Sequence, residues 1–259
     1  MGAGHGHGVA EGLYLPGSSL VHRLPAHLKL VAVLAFVLVV VCTPPTRVPA
    51  FAAYLALLVA VALLARVPLP TVAARSLIEL PFVLFAVLMP LLGPDPRVDV
   101  LGLSLSQNGL QSAWGIIAKG TLGVFASVLL AATTPARDLI AGLERLRVPT
   151  LLVQIASFML RYSVVVVEQS RRMAVARASR GFAARGPRAW PVLARAAGTL
   201  FIRSYERGER VHLAMLSRGY DGTMPLGGAV VVRPIDWLAV LVLPLLAAAV
   251  LLATAMMWR

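Results

Sequence analysis

The sequence predicts an all-α membrane protein, a polytopic helix bundle of about five spans joined to long cytoplasmic amphipathic helices. Three observations carry this expectation. Of the 259 residues, 59% are hydrophobic and the mean hydropathy is +0.83, too apolar for an ordinary soluble domain. Apolar runs at roughly 27–43, 48–65, 72–92, 110–133 and 236–257 approach or reach the length a helix needs to cross a bilayer. Residues 150–220 instead combine a helical period with dense arginine, a pattern suited to the membrane surface rather than to hydrocarbon.

Taken in order, residues 1–26 form an N-terminal cytoplasmic tail. The first 20 residues lack the positive n-region and apolar h-region of a signal peptide. Gly4-His5-Gly6-His7 offers two imidazoles to a divalent ion, yet a glycine-rich tail fixes no geometry and reads as a flexible terminus. Residues 27–133 hold spans one to four. Lys29 stands at the edge of the first and is expected to snorkel outward. Thr43-Pro44-Pro45, Val67-Pro68-Leu69-Pro70 and Gly93-Pro94-Asp95-Pro96 mark the turns between spans. Glu79 and Lys119 fall inside spans, where an ionisable residue is a functional candidate by default; a structural or snorkelling role is the simpler expectation for both.

Arginine in the loops sets the orientation. Loop 93–109 carries Asp95, Asp99 and only Arg97, and is expected outside. Loops 66–75 (Arg66, Arg75) and 134–150 (Arg137, Arg145, Arg147) are expected in the cytoplasm. A coupling region at 134–230 follows, and the last span lies in 231–259. Formal net charge is +13, with Lys29 and Lys119 the only lysines. Loops and anionic lipid account for that charge without nucleic acid.

From Arg161 to Arg218 there are twelve arginines against Glu168, Glu206 and Glu209. Leu152, Ile155, Met159, Tyr162, Val166, Gln169, Met173, Ala176 and Arg180 recur at spacings of three and four, one stripe of a long helix. After Gly186-Pro187 a second helix places Val211, Met215 and Arg218 in the same relation. Glu168–Arg172 and Glu206–Arg210 are i,i+4 pairs in the favourable order. Each helix closes on the same tripeptide, Ser179-Arg180-Gly181 and Ser217-Arg218-Gly219, and each tripeptide precedes an aromatic residue. Glycine past the last turn accepts positive φ and ends a helix. Two readings stand side by side: arginines presented for docking on a partner, or plain caps with a cation at the negative end of the helix dipole.

Little else in the chain offers chemistry. No Gly-Lys-Ser/Thr phosphate loop is present, so ATP-driven work requires a partner that hydrolyses it. Cys42 is the single cysteine, which excludes a disulfide framework. Gly-x-Ser-x-Gly is absent, and His22, His27 and His212 form no i,i+4 pair. A non-catalytic subunit without a cofactor of its own is expected.

Three segments carry a family likeness. They are Leu15-Pro16-Gly17-Ser18-Ser19-Leu20-Val21-His22-Arg23-Leu24 running into Leu28-Lys29-Leu30, Thr133-Thr134-Pro135-Ala136-Arg137-Asp138-Leu139 with Val148-Pro149, and Ser204-Tyr205-Glu206-Arg207-Gly208-Glu209-Arg210 leading to Ser217-Arg218-Gly219-Tyr220-Asp221-Gly222. Together they resemble the transmembrane T component of energy-coupling factor transporters, in its CbiQ branch linked to cobalt uptake. The resemblance implies that Ser179, Arg180, Gly181 and Ser217, Arg218, Gly219 end coupling helices that dock on a pair of ABC-type, CbiO-like ATPase subunits. It implies a separate CbiM-like substrate-binding membrane subunit, with or without a CbiN-like one, and ATP bound only by the partners. The family commonly has alanine where this chain has Ser179 and Ser217. Nickel-specific relatives, a T component shared among vitamin-specific subunits, and a basic membrane-surface scaffold without an ATPase are the alternatives.

Overall fold

The computed structural model describes residues 13–92, 96–100, 103–182, 186–222 and 232–257. Its helices are α1 (Leu20–Arg23), α2 (Ala26–Cys42), α3 (Val48–Leu64), α4 (Leu69–Ser76), α5 (Leu80–Leu92), α6 (Gln107–Thr133), α7 (Ala136–Arg145), α8 (Thr150–Ser179), α9 (Trp190–Leu216) and α10 (Pro234–Met257). The fold is helical, as expected. A short antiparallel hairpin, β1 (Arg97–Val100) and β2 (Leu103–Ser106), is added in the loop before α6 and pairs Arg97 with Ser106 and Val100 with Leu103. The chain divides into two compact units, Leu13–Leu146 with Ala229–Arg259, and a second containing Arg147–Gly228.

In the first unit α2 packs on α6, α7 and α10, α3 on α6 and α10, and α5 along α6. The core is Phe36, Val40, Phe51, Tyr54, Leu58, Leu122, Phe125 and Leu129. Phe36 and Phe51 meet the Tyr54 ring edge to face, at 6.0 and 6.2 Å between centroids, a geometry favoured by the ring quadrupoles. The Tyr54 hydroxyl is buried and lies 3.0 Å from Thr43 Oγ1, which donates to the Val39 carbonyl at 2.9 Å. Thr43 has one hydroxyl proton, so Tyr54 is the donor.

The same helices turn large apolar side chains outward: Phe82 is 65% exposed, Leu38 63% and Leu245 63%. Such a surface is stable against lipid tails and unstable against water. By length and composition four stretches suffice to cross a membrane: Leu69–Leu91, α6, α8 and α10. Helices α2 and α3 are apolar too, but shorter. The inclusion of α8 goes beyond the five runs read from the sequence, because Arg161 is the only charge among its first eighteen residues.

The run expected as one span over 72–92 is interrupted. Pro81 has no N–H and its ring would strike the Leu77 carbonyl, and the backbone tightens to a 3-10 turn at Leu77–Glu79 between α4 and α5. Glu79 is buried there, accepting from the Thr121 hydroxyl at 3.2 Å. Gly120 provides the space, since a Cβ at that position would collide with Glu79 Oε1. Lys119 does not meet Glu79; its Nζ donates to the Val41 carbonyl at 2.8 Å, an otherwise unfilled acceptor at the end of α2.

Lys29 corrects another expectation. It is buried rather than snorkelling. Its ammonium donates to Thr133 O at 3.0 Å, Thr134 Oγ1 at 3.1 Å and His22 O at 3.5 Å. A cation thereby caps the carbonyl end of α6, where the helix dipole is negative. The strap before it is fixed by the Leu15 N–H to Ala132 O at 2.9 Å and by His22, whose ring lies 2.7 Å from Ser19 Oγ and 3.0 Å from Leu15 O. These residues belong to the N-terminal and middle segments that carried the family likeness.

Candidate functional site

The site expected from the sequence is a pair of helix ends, and its geometry begins with how those ends are made. At the end of α8, Gly181 has φ +75°. The Gly181 N–H donates to Ala178 O at 3.0 Å and the Phe182 N–H to Arg177 O at 3.1 Å. This is a Schellman motif, which satisfies two carbonyls that a helix end leaves without partners. At the end of α9, Gly219 has φ +82°. Its N–H donates to Leu216 O at 3.0 Å and the Tyr220 N–H to Met215 O at 3.0 Å. The two ends repeat each other bond for bond.

The serines match as well. Ser179 Oγ donates to Ala176 O at 3.1 Å and Ser217 Oγ to Ala214 O at 3.0 Å, each filling one more carbonyl of the last turn. An alanine in their place would leave that carbonyl to solvent and the backbone unchanged. Arg180 and Arg218 are both exposed. Among the described residues neither guanidinium has a hydrogen bond or an ion pair, whereas Arg172 is paired with Glu168 at 2.9 Å and Arg210 lies 4.0 Å from Glu206. Both of those pairs are exposed and worth a few tenths of a kcal/mol.

Helices α8 and α9 run antiparallel. Gln154 near the start of α8 meets Tyr220 past the end of α9, with the Tyr220 hydroxyl donating to Gln154 Oε1 at 2.8 Å. Further along, Arg207 Nη2 donates to Gln169 Oε1 at 3.3 Å. One groove between the helices is lined by Phe158, Tyr162, Val211 and Met215, and another by Gln169, Met173, Arg203 and Arg207. Arg180 and Arg218 therefore lie at opposite ends of the pair. Each is eleven positions beyond its partner in the Gln169–Arg207 contact, about 16 Å along a helix at 1.5 Å per residue.

The stripe read from the sequence is half right. Tyr162, Val166, Gln169 and Met173 are half-buried, but Leu152, Ile155 and Met159 are exposed. A repeat of 3.5 residues drifts about 20° per heptad on a straight helix, so the stripe turns by about 80° over the four heptads from Leu152 to Arg180 and its start leaves the contact face. Gln154 takes the buried position instead. A lone amide inside the apolar run Leu151 to Leu160 was the available signal for it.

Among the described residues no group of three His, Cys, Asp or Glu side chains could hold a metal ion. His5 and His7 lie outside the described residues.

Four stretches long and apolar enough to cross a membrane, with hydrocarbon turned outward, define a multi-pass membrane protein, and its arginine-rich helix pair carries two like-capped tips. The comparisons make this specific. Residues 17–226 match the family model of the cobalt transport protein CbiQ, and the chain belongs to that family. It is 34% identical over 179 residues to the cobalt transport protein CbiQ of Rhodobacter capsulatus, covering 65% of this chain and 70% of that one. It is 30% identical over 235 residues to the energy-coupling factor transporter transmembrane protein EcfT of Bacillus selenitireducens, covering 83% and 84%. A putative fused cobalt transport protein CbiMQ of Methanocorpusculum labreanum is 26% identical over 222 residues, 81% of this chain and 36% of the fusion.

Proposed function

We propose that this chain couples ATP hydrolysis by two partner ATPase subunits to cobalt uptake through a separate substrate-binding membrane subunit. Arg180 and Arg218 are the docking residues. The observation that carries this reading is the identity of the two tips: the same cap, the same serine bond and an exposed arginine unpaired among the described residues, at opposite ends of one helix pair. A cap alone requires none of the arginine. A guanidinium held on a fixed helix end can engage a carboxylate of a partner through two parallel bonds. The name of the fused relative, which joins CbiM to CbiQ, supports a CbiM-like partner. The N-terminus, loops 66–75 and 134–150 and both tips lie in the cytoplasm in this reading, following the arginine distribution.

The test is purification of the tagged chain with its neighbours in mild detergent, followed by cobalt uptake in vesicles. Wild type is expected to carry ATPase subunits. Arg180→Ala or Arg218→Ala weakens their retention, and the double variant abolishes coupled uptake. A double variant with undiminished ATPase retention and normal uptake overturns the proposal. Moving an arginine one turn along the helix separates docking from lipid attraction, which tolerates the move.

A second reading has its own support: the match to EcfT spans a larger share of this chain than the match to the Rhodobacter CbiQ. In that case the chain serves other substrate subunits, and the identity of the co-purified substrate subunit decides.

A further inference from the structure

The two tips are alike in their caps and unlike in what holds them. Tyr220, the aromatic residue after Gly219, donates its hydroxyl to Gln154 Oε1 at 2.8 Å. The other end of the same amide donates from Nε2 to the Gly222 carbonyl. Gly222 has φ +93°, a left-handed turn that a side-chain-bearing residue takes only with strain. Gln154 is 9% exposed, so both ends of a buried amide are satisfied by the segment that follows the Arg218 tip. A buried amide must find such partners or carry the cost of leaving water.

The Arg180 tip has no counterpart among the described residues. Gln154 lies fifteen positions before Gln169; the position fifteen before Arg207 is Val192, which has no side-chain hydrogen-bonding group. The aromatic residue after Gly181 is Phe182, which has no hydroxyl. Both halves of the clamp are thus missing from the sequence at the other tip.

From this we infer that Gln154 and Tyr220 are positioning residues, which brace the Arg218 tip against the first turns of α8, a brace that the Arg180 tip lacks among the described residues. The inference rests on the docking reading of Arg180 and Arg218. It makes the tips functionally unequal. The Arg218 end transmits a partner's movement into α8 directly, through Gln154. The Arg180 end transmits it along α8 from the opposite terminus.

The test uses the complete transporter with Tyr220→Phe, which removes one hydroxyl and keeps the ring, and Gln154→Leu, which removes the amide at similar volume. Each variant is expected to retain its ATPase subunits and hydrolyse ATP while uptake per ATP falls about fivefold, the effect of losing a hydrogen bond of ordinary strength. The double variant is expected to be no worse than Gln154→Leu alone, because that change already removes the acceptor of the Tyr220 hydroxyl. Gln154→Glu, which keeps the acceptor for Tyr220, retains more coupling than Gln154→Leu. Uptake per ATP unchanged in both single variants, or effects that simply add, overturns the inference.

A second readout does not depend on transport. Spin labels at Val175 and Leu213, both well exposed, on a Cys42→Ser background should give a broader distance distribution with Tyr220→Phe than without it. An unchanged distribution also overturns the inference. If the wild-type chain captures no ATPase subunits, the docking reading fails, and the label distances still decide whether the clamp braces the tip.

Discussion

Replacing Gly181 or Gly219 by alanine tests whether the tips depend on their caps, and the structure fixes the size of the effect. A Cβ built at either position meets nothing within 4 Å, so there is no clash to relieve; the whole penalty lies in φ values of +75° and +82°. For an L-residue that conformation costs roughly 1–2 kcal/mol. The cap opens about 5–30 times more often as a result. The Phe182 and Tyr220 amides, which donate across the two caps, report this as hydrogen exchange faster by the same factor. Asparagine, which tolerates left-handed φ better than alanine, should fall between. Gly198 is the control. It too has nothing within 4 Å of a built Cβ, but it lies inside α9 with no positive φ. Alanine there should stabilise the helix by about 1 kcal/mol. The same chemical change must therefore act with opposite sign at positions 198 and 219. Equal exchange rates in Gly219→Ala and wild type, or a destabilised Gly198→Ala, refutes the reasoning.

Other perturbations follow from the packing. Gly120→Ala drives a methyl into the Glu79 carboxylate and should lower stability in detergent by about 1–3 kcal/mol, read as a fall in melting temperature that Glu79→Ala partly restores. Lys29→Met removes the donor to Thr133 O and Thr134 Oγ1; at about 1–3 kcal/mol for a buried acceptor left unpaired, limited proteolysis should open the strap at residues 13–24 first. Glu168→Gln breaks an exposed pair with Arg172 and should shift stability by less than about 0.5 kcal/mol, so a large change in melting temperature would mean that the pair has a role beyond its own helix.

The sequence was most legible where one element answers to one local rule. Apolar runs bounded by proline placed the spans within a few residues of α2, α3, α6 and α10, because length and hydropathy are local properties. The tips were legible for the same reason: Ser-Arg-Gly followed by an aromatic residue contains most of a Schellman motif in consecutive positions. What stayed hidden depends on partners far along the chain. Lys29 reads as a snorkelling charge until Thr133 and Thr134, more than a hundred positions away, bring their oxygens to it. Gln154 reads as an imperfection in an apolar run until Tyr220 and Gly222 arrive at its two ends. The 3-10 turn at Leu77–Glu79 was within reach, since Pro81 announces it.

The equal arms of the antiparallel α8–α9 pair have a mechanical consequence. With each tip about 16 Å from the Gln169–Arg207 contact, a rotation of about 10° around that contact carries each arginine through about 3 Å, in opposite directions. In the docking reading proposed above, two partners that push in opposite directions across the helix axes, one at each end, apply a torque and no net thrust. Work delivered at the tips in that reading turns the α8–α9 pair about its middle and does not push it along its length.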